Sequence, residues 1–164
     1  MLYAAQLVTR VNKLLFDSVK WVIFLIAGLM LFEVISRYTF TAPTSWAPEL
    51  ATLLFGPFFL FGGPYLLHIG GHVAVDIVSA KAEGRTKLLL TALSMLLALV
   101  FGAILLRFSL PLAVSAFEYG ETSYSGWNPV IWPAKAALPF AALLLILQAL
   151  AELIVLFSGK ETAQ

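Results

Sequence analysis

Apolar positions along this chain gather into four blocks, each bounded by charged, aromatic or proline positions. The first block runs from about Leu14 to Tyr38, with an uncharged heart at Trp21 to Phe32. The second covers Leu50 to Leu67 and extends to His68, and the third begins near Leu88, reaches Phe108 and continues apolar to Phe117. The fourth covers about Pro133 to Phe157. A helix crossing a bilayer needs about 20 apolar residues at about 1.5 Å rise each. The heart of the first block holds eight Leu, Ile, Val or Phe residues, which favour insertion by about 2 to 5 kcal/mol in sum. The pattern therefore predicts an all-α integral membrane protein: one four-helix membrane domain over residues 1–164, with spans at about 14–38, 50–68, 88–108 (continuing to 117) and 133–157.

Shorter patterns lie between the spans. Near the amino end, Leu7, Val11 and Leu14 fall on one helical face, with Gln6, Arg10 and Lys13 on another. That suits an amphipathic helix lying at the membrane interface. Val73, Val75, Ile77 and Val78, followed by Lys81 and Arg85, suggest a second interfacial segment in the middle connection. Arg10, Lys13, Lys20 and the apolar heart also resemble a secretory signal, but the run leads into Glu33 and Arg37 without a small-x-small cleavage site. A retained helix is expected.

Composition agrees with this picture. The chain is 61% hydrophobic and 12% charged, too apolar for a soluble domain of this size. Its formal net charge of +1 gives no field that would attract nucleic acid. It has no cysteine, so disulfides, thiolate metal sites and cysteine nucleophiles are excluded. Basic residues sit in the amino terminus, in the middle connection and after the fourth span, whereas residues 39–48 and 118–131 contain no Lys or Arg. The positive-inside rule then expects both termini in the cytoplasm. Trp46, Trp127 and Trp132 would occupy the outer aromatic belt and Trp21 the inner one.

Charged residues in or beside a span are costly unless paired or near an interface. Glu33 and Arg37 stand four apart and can pair on one helix face. Glu49 opens the second span, Arg107 lies near the outer end of the third, and Lys135 opens the fourth. All five share one depth. They can form a ring of ion pairs near the outer face, or each can snorkel to water independently. Gly56-Pro57 and Gly62-Gly63-Pro64 break the second span. Gly62 and Gly63 are expected on a face that packs closely against a neighbour. His68 and His72 have the i, i+4 spacing of a metal pair. Two glycines intervene and these are the only histidines, so a structural role is expected, with Gly71, His72 and Asp76 pinning the turn out of the membrane. No metal or other cofactor is expected.

These residues together resemble a family. Arg37-Tyr38 closing the first span, Trp46-Ala47-Pro48-Glu49-Leu50 opening the second, and Gly70-Gly71-His72-Val73 with Asp76 behind it look like its motifs. With Pro133 and the Gln148-bearing fourth span, the chain is similar over nearly its whole length to the small membrane subunit of TRAP (tripartite ATP-independent periplasmic) transporters. Two positions depart from the family pattern: Pro48 replaces the first of paired glutamates, and His68 stands where a basic residue, usually arginine, is common. The resemblance implies a non-catalytic scaffold in the bacterial inner membrane. Its partners would be a large membrane subunit that carries the sodium and substrate sites, a periplasmic binding protein that delivers an organic acid, and membrane lipids. Two other readings of the residues are a small proton-coupled exporter using Glu33 and a haem-bearing anchor of an oxidoreductase. Arg37 beside Glu33 opposes the first, because a cation lowers a carboxylate's pKa.

Overall fold

A computed structural model describes residues 2–69 and 84–158. Five helices account for most of them: α1 (Leu2–Val19), α2 (Val22–Thr39), α3 (Trp46–His68), α4 (Gly84–Glu118) and α5 (Trp132–Phe157). The described residues contain no strand, only an isolated antiparallel bridge between Thr122 and Val130. Four helical stretches are long and apolar enough to cross a membrane, as the hydropathy blocks predict. The third block and its continuation form one uninterrupted helix of 35 residues. At about 52 Å it exceeds the 40–45 Å of a whole bilayer, so α4 projects beyond the hydrocarbon.

The first block divides differently from expectation. Residues 14–19 belong to α1, and the chain turns at Lys20–Trp21 before α2 begins. Neither glycine nor proline causes this turn. Lys20 pairs with Asp17 at 2.6 Å, which places a charged corner there, and the two helices share only part of their packing. α1 packs on α3 and α5, whereas α2 packs on α3 and barely touches α1. The predicted face of Leu7, Val11 and Leu14 is exposed, and the buried positions of α1 are Ala5 and Asn12. The Leu7–Val11–Leu14 face therefore points outward, and Ala5 and Asn12 face the protein.

The spanning helices stand in a row, α2–α3–α5–α4, rather than around a square. α3 touches α2 and α5; α4 touches α5 alone among the described helices. α1 crosses the side of the row, its residues 9–12 meeting Gln148 of α5 and Phe16 stacking on Tyr65 of α3 at 5.1 Å. Small residues fill the seams: Ala47 and Ala51 on α3, Gly102, Ala113 and Ala116 on α4, and Ala137, Ala141, Ala142, Ala149 and Ala151 on α5. Lipid removes the hydrophobic drive between helices, so backbones must approach closely to gain van der Waals contact.

Among the described residues, the tightest glycine is not one of the pair singled out in the sequence. A Cβ on Gly102 would lie 2.8 Å from Ile146 Cγ1 and 3.4 Å from the Ala142 carbonyl. Gly62 is buried beneath Phe16, but a Cβ there would meet its nearest atoms at 4.0 Å, and Gly63 has open space.

Candidate functional site

Polar chemistry concentrates at the two ends of the row. At the Trp46 end, Glu33 of α2 is only 3% exposed. Its Oε1 accepts from Arg37 Nε at 3.0 Å and Nη2 at 2.5 Å. Its Oε2 accepts from the Thr44 amide at 3.0 Å and from the Thr44 hydroxyl. The carboxylate thus ties α2 to the short connection that leads into α3. That connection folds back on α2: the Ala42 amide donates to the Ser36 carbonyl at 3.0 Å, and Thr41 adopts a φ of 50°. Phe32 and Trp46 close the same corner with ring centroids 5.6 Å apart.

Glu49 in the first turn of α3 accepts from Ser125 Oγ at 2.5 Å. Ser125 Oγ in turn accepts from the amides of Trp127 and Asn128, so Glu49 holds the α4–α5 connection over the start of α3. Lys135 in the first turns of α5 donates to both oxygens of Glu121, at 2.7 and 2.6 Å. Arg107 is exposed and makes no ion pair among the described residues. The five charges therefore do not close into a ring. Glu33 with Thr44, Glu49 with Ser125, and Lys135 with Glu121 are three local fastenings, each binding a connection to a helix, and Arg37 braces the first from within α2.

At the His68 end, a chain of hydrogen bonds joins three helices. Asn12 Nδ2 of α1 donates to Gln148 Oε1 of α5 at 2.7 Å. Gln148 Nε2 donates to Thr9 Oγ1 at 3.1 Å and to Glu152 Oε1 at 2.7 Å. Glu152 Oε1 lies 2.6 Å from His68 Nδ1 of α3. Asn12 and Gln148 are 1% and 0% exposed. His68 thus links α3 to α5 through a carboxylate. Among the described residues no cluster of three or more His, Cys, Asp or Glu could hold a metal. Gly71, His72 and Asp76, expected to pin the turn after α3, lie outside the described residues.

Thr9, Asn12 and Glu152 do not stand out among the charged and glycine-rich motifs of the sequence, although a signal is present. Thr9 and Asn12 are three apart, and Gln148 and Glu152 four apart, on helices otherwise rich in apolar residues. Polar residues sharing a face inside a membrane helix mark a buried contact.

The geometry describes a small membrane protein whose polar side chains mostly fasten its own helices. Comparison with known families places it: the model for tripartite ATP-independent periplasmic transporters, DctQ component, matches residues 26–159. The chain belongs to the DctQ family. The match begins within α2 and ends just past α5, so it takes in all of α3, α4 and α5 together with the Glu33 fastening and both residues of α5 in the polar chain. It leaves α1 outside, and with it Thr9 and Asn12. No curated protein matches the chain. As a DctQ component, the chain is a small subunit of a transporter of this type, and the polar groups described above are contacts between its own helices and connections.

Proposed function

We propose that this DctQ component is the non-catalytic scaffold of a sodium-coupled, binding-protein-dependent transporter for organic acids. It would pack against the static part of the large membrane subunit, which carries the sodium and substrate sites. The observation that carries this reading is the row itself. Its two edge helices, α2 and α4, are almost wholly unburied along apolar stretches of span length. Faces of that kind need lipid or another membrane helix against them.

In this reading both termini lie in the cytoplasm of a bacterial inner-membrane protein, and the Trp46 end faces the periplasm. The three fastenings there hold the two outer connections in fixed shape, and Tyr38, Phe40, Tyr119 and Tyr124 stand exposed around them. This is a surface on which a periplasmic binding protein could rest. Glu33 is an unsuitable proton carrier because Arg37 and Thr44 already occupy both of its oxygens.

Gentle extraction of tagged chain from its native membrane tests the proposal. A large, roughly twelve-helix membrane protein should co-purify, and its absence would end the scaffold reading. Proton-driven transport by the purified chain alone in liposomes, or a Soret band in its absorption spectrum, would replace it with the exporter or the haem anchor.

A further inference from the structure

α4 stands at one edge of the row and touches α5 alone among the described helices. Its buried residues are Gly102, Ser109, Ala113 and Ala116, and at about 100° per residue Arg107 points about 150° away from them. Arg107 is exposed among exposed Val100, Ile104, Leu110 and Val114, and makes no ion pair among the described residues. We propose that this outward face of α4 is where the large membrane subunit docks, through a helix that sets an Asp or Glu carboxylate against Arg107. The contact presupposes the scaffold role and gives it a face and a chemistry.

Depth sets Arg107 apart from Lys135, which lies one turn from Trp132. Phe117 of α4 meets Trp132 edge-on, with ring centroids 5.2 Å apart, at the level that tryptophan marks as the interface. Arg107 stands ten residues from Phe117, about 15 Å along the helix, or half of a hydrocarbon core about 30 Å thick. Snorkelling toward the Trp132 end runs against the side chain's own direction. Each Cα–Cβ bond tilts toward the helix amino end, which for α4 is away from Trp132. Pro111 adds a second polar atom to the same place. It lies inside the helix four residues on, is exposed, and has no amide to donate to the Arg107 carbonyl. A cation and a carbonyl short of its helical donor therefore share an apolar outward face, a combination that hydrocarbon does not satisfy.

Depth and charge also select the partner. A lipid phosphate stays at headgroup level, outside the hydrocarbon, whereas a carboxylate on a helix can sit at any depth. Among the described acids of this chain, Asp17, Glu33, Glu49, Glu121 and Glu152 are already bound. Glu118 shares the Arg107 face but stands eleven residues away, about 16 Å. A second copy in the same membrane orientation would bring Arg107 against Arg107, with its Glu118 at the same wrong depth. A guanidinium grips a carboxylate through two parallel hydrogen bonds, a geometry that fixes the register of one helix on another.

The test uses the full chain, tagged and extracted in mild detergent from a membrane that also holds its large subunit. Arg107→Leu should lower the amount of large subunit retained by about tenfold or more, the worth of a charge-assisted hydrogen bond. The same change should leave the unfolding midpoint of the isolated chain no lower, since Arg107 fastens nothing within it. Arg107→Lys, which keeps the charge and loses the fork, should fall between Leu and the parent. A photo-crosslinking residue in place of Ile104, 52% exposed, should capture a large-subunit helix bearing an acid. Arg107→Glu should abolish retention, and arginine in place of that acid should restore it. If the parent chain brings down no large membrane protein, the scaffold role falls and this contact with it. Retention by the parent and equally by Arg107→Leu overturns the contact alone. So does capture of a second copy of this chain, of a helix without an acid, or of the large subunit only from a crosslinker in place of Phe24 on α2, 68% exposed.

Discussion

Gln148→Leu should release α1 from the row. The substitution keeps roughly the volume of the side chain, so little of its effect comes from a cavity. It removes three hydrogen bonds: to Asn12, to Thr9 and to Glu152. Within membranes such bonds average about 0.6 kcal/mol, about 2 kcal/mol for the three. The change also strands Asn12 Nδ2 at a position 1% exposed, which adds at least about 1 kcal/mol. The expected loss is therefore about 3 kcal/mol, a fall in unfolding midpoint of about 6–12 °C for a chain of this size. Asn12→Leu removes only one of the bonds and should cost about 1–2 kcal/mol, mainly by leaving Gln148 Oε1 without its donor. Asn12→Leu with Gln148→Leu strands neither amide against the other, so the pair should cost about 2 kcal/mol, well below the sum of the single changes. The assay is thermal unfolding in one detergent, read by a fluorescent label on α1 and compared across the four proteins. Additive costs, or a Gln148→Leu effect under about 0.5 kcal/mol, would refute the argument that these amides are paired and dry.

Gly102→Ala should destabilise the α4–α5 seam by about 1–3 kcal/mol through overpacking, and Ile146→Ala should rescue it by removing the atom that lies 2.8 Å from the new Cβ. Gly63→Ala, with open space around it, should stay within about 0.5 kcal/mol of the parent; a melt of each variant separates the two glycines. Glu49→Ala should free the connection over residues 118–131 from α3, seen as faster cutting there by a protease added from that side, with unchanged cutting counting against the Glu49–Ser125 fastening. The chain has no cysteine, so Tyr124→Cys and Tyr3→Cys, at positions 84% and 78% exposed, can be probed singly with an impermeant maleimide. Labelling of the first but not the second in spheroplasts is expected, and the reverse would invert the topology. Arg37→Ala should lower the midpoint of thermal unfolding in detergent, and an unchanged midpoint would mean that Thr44 alone suffices to hold Glu33.

Much of this was legible in the sequence because it depends on composition over distances of a turn or a span. The four crossings follow from apolar runs of about 20 residues, and the Glu33–Arg37 pair from a spacing of four. What the sequence hid depends on which helix meets which. The break at Lys20–Trp21 carries no glycine or proline and lies where α1, which packs on α5 as well as α3, gives way to α2, which packs on α3 alone of these two. Lys135 finds Glu121 fourteen residues away across a connection, a distance that no helical period encodes. Gly62 and Gly63 stand out beside a proline, yet close approach belongs to Gly102, an isolated glycine whose importance depends on Ile146 lying opposite. The polar chain at the His68 end was half visible, since spacing on each helix puts two polar residues on one face, but only the fold brings the pairs together.

The row has a further consequence for how the molecule comes apart. A square bundle has a shared interior, so losing one helix exposes all the others and unfolding is concerted. A row has only seams, and α4 is joined by one of them. Its stability is accordingly closer to a sum over neighbours, the arithmetic of repeat proteins, than to one cooperative term. Such a chain unzips from its ends: α4 can peel from α5 while α3, α5 and α1 stay locked by Gln148 and Glu152. The edge helices are then the least secured parts of the isolated chain, and whatever lies against them in the membrane sets their effective stability.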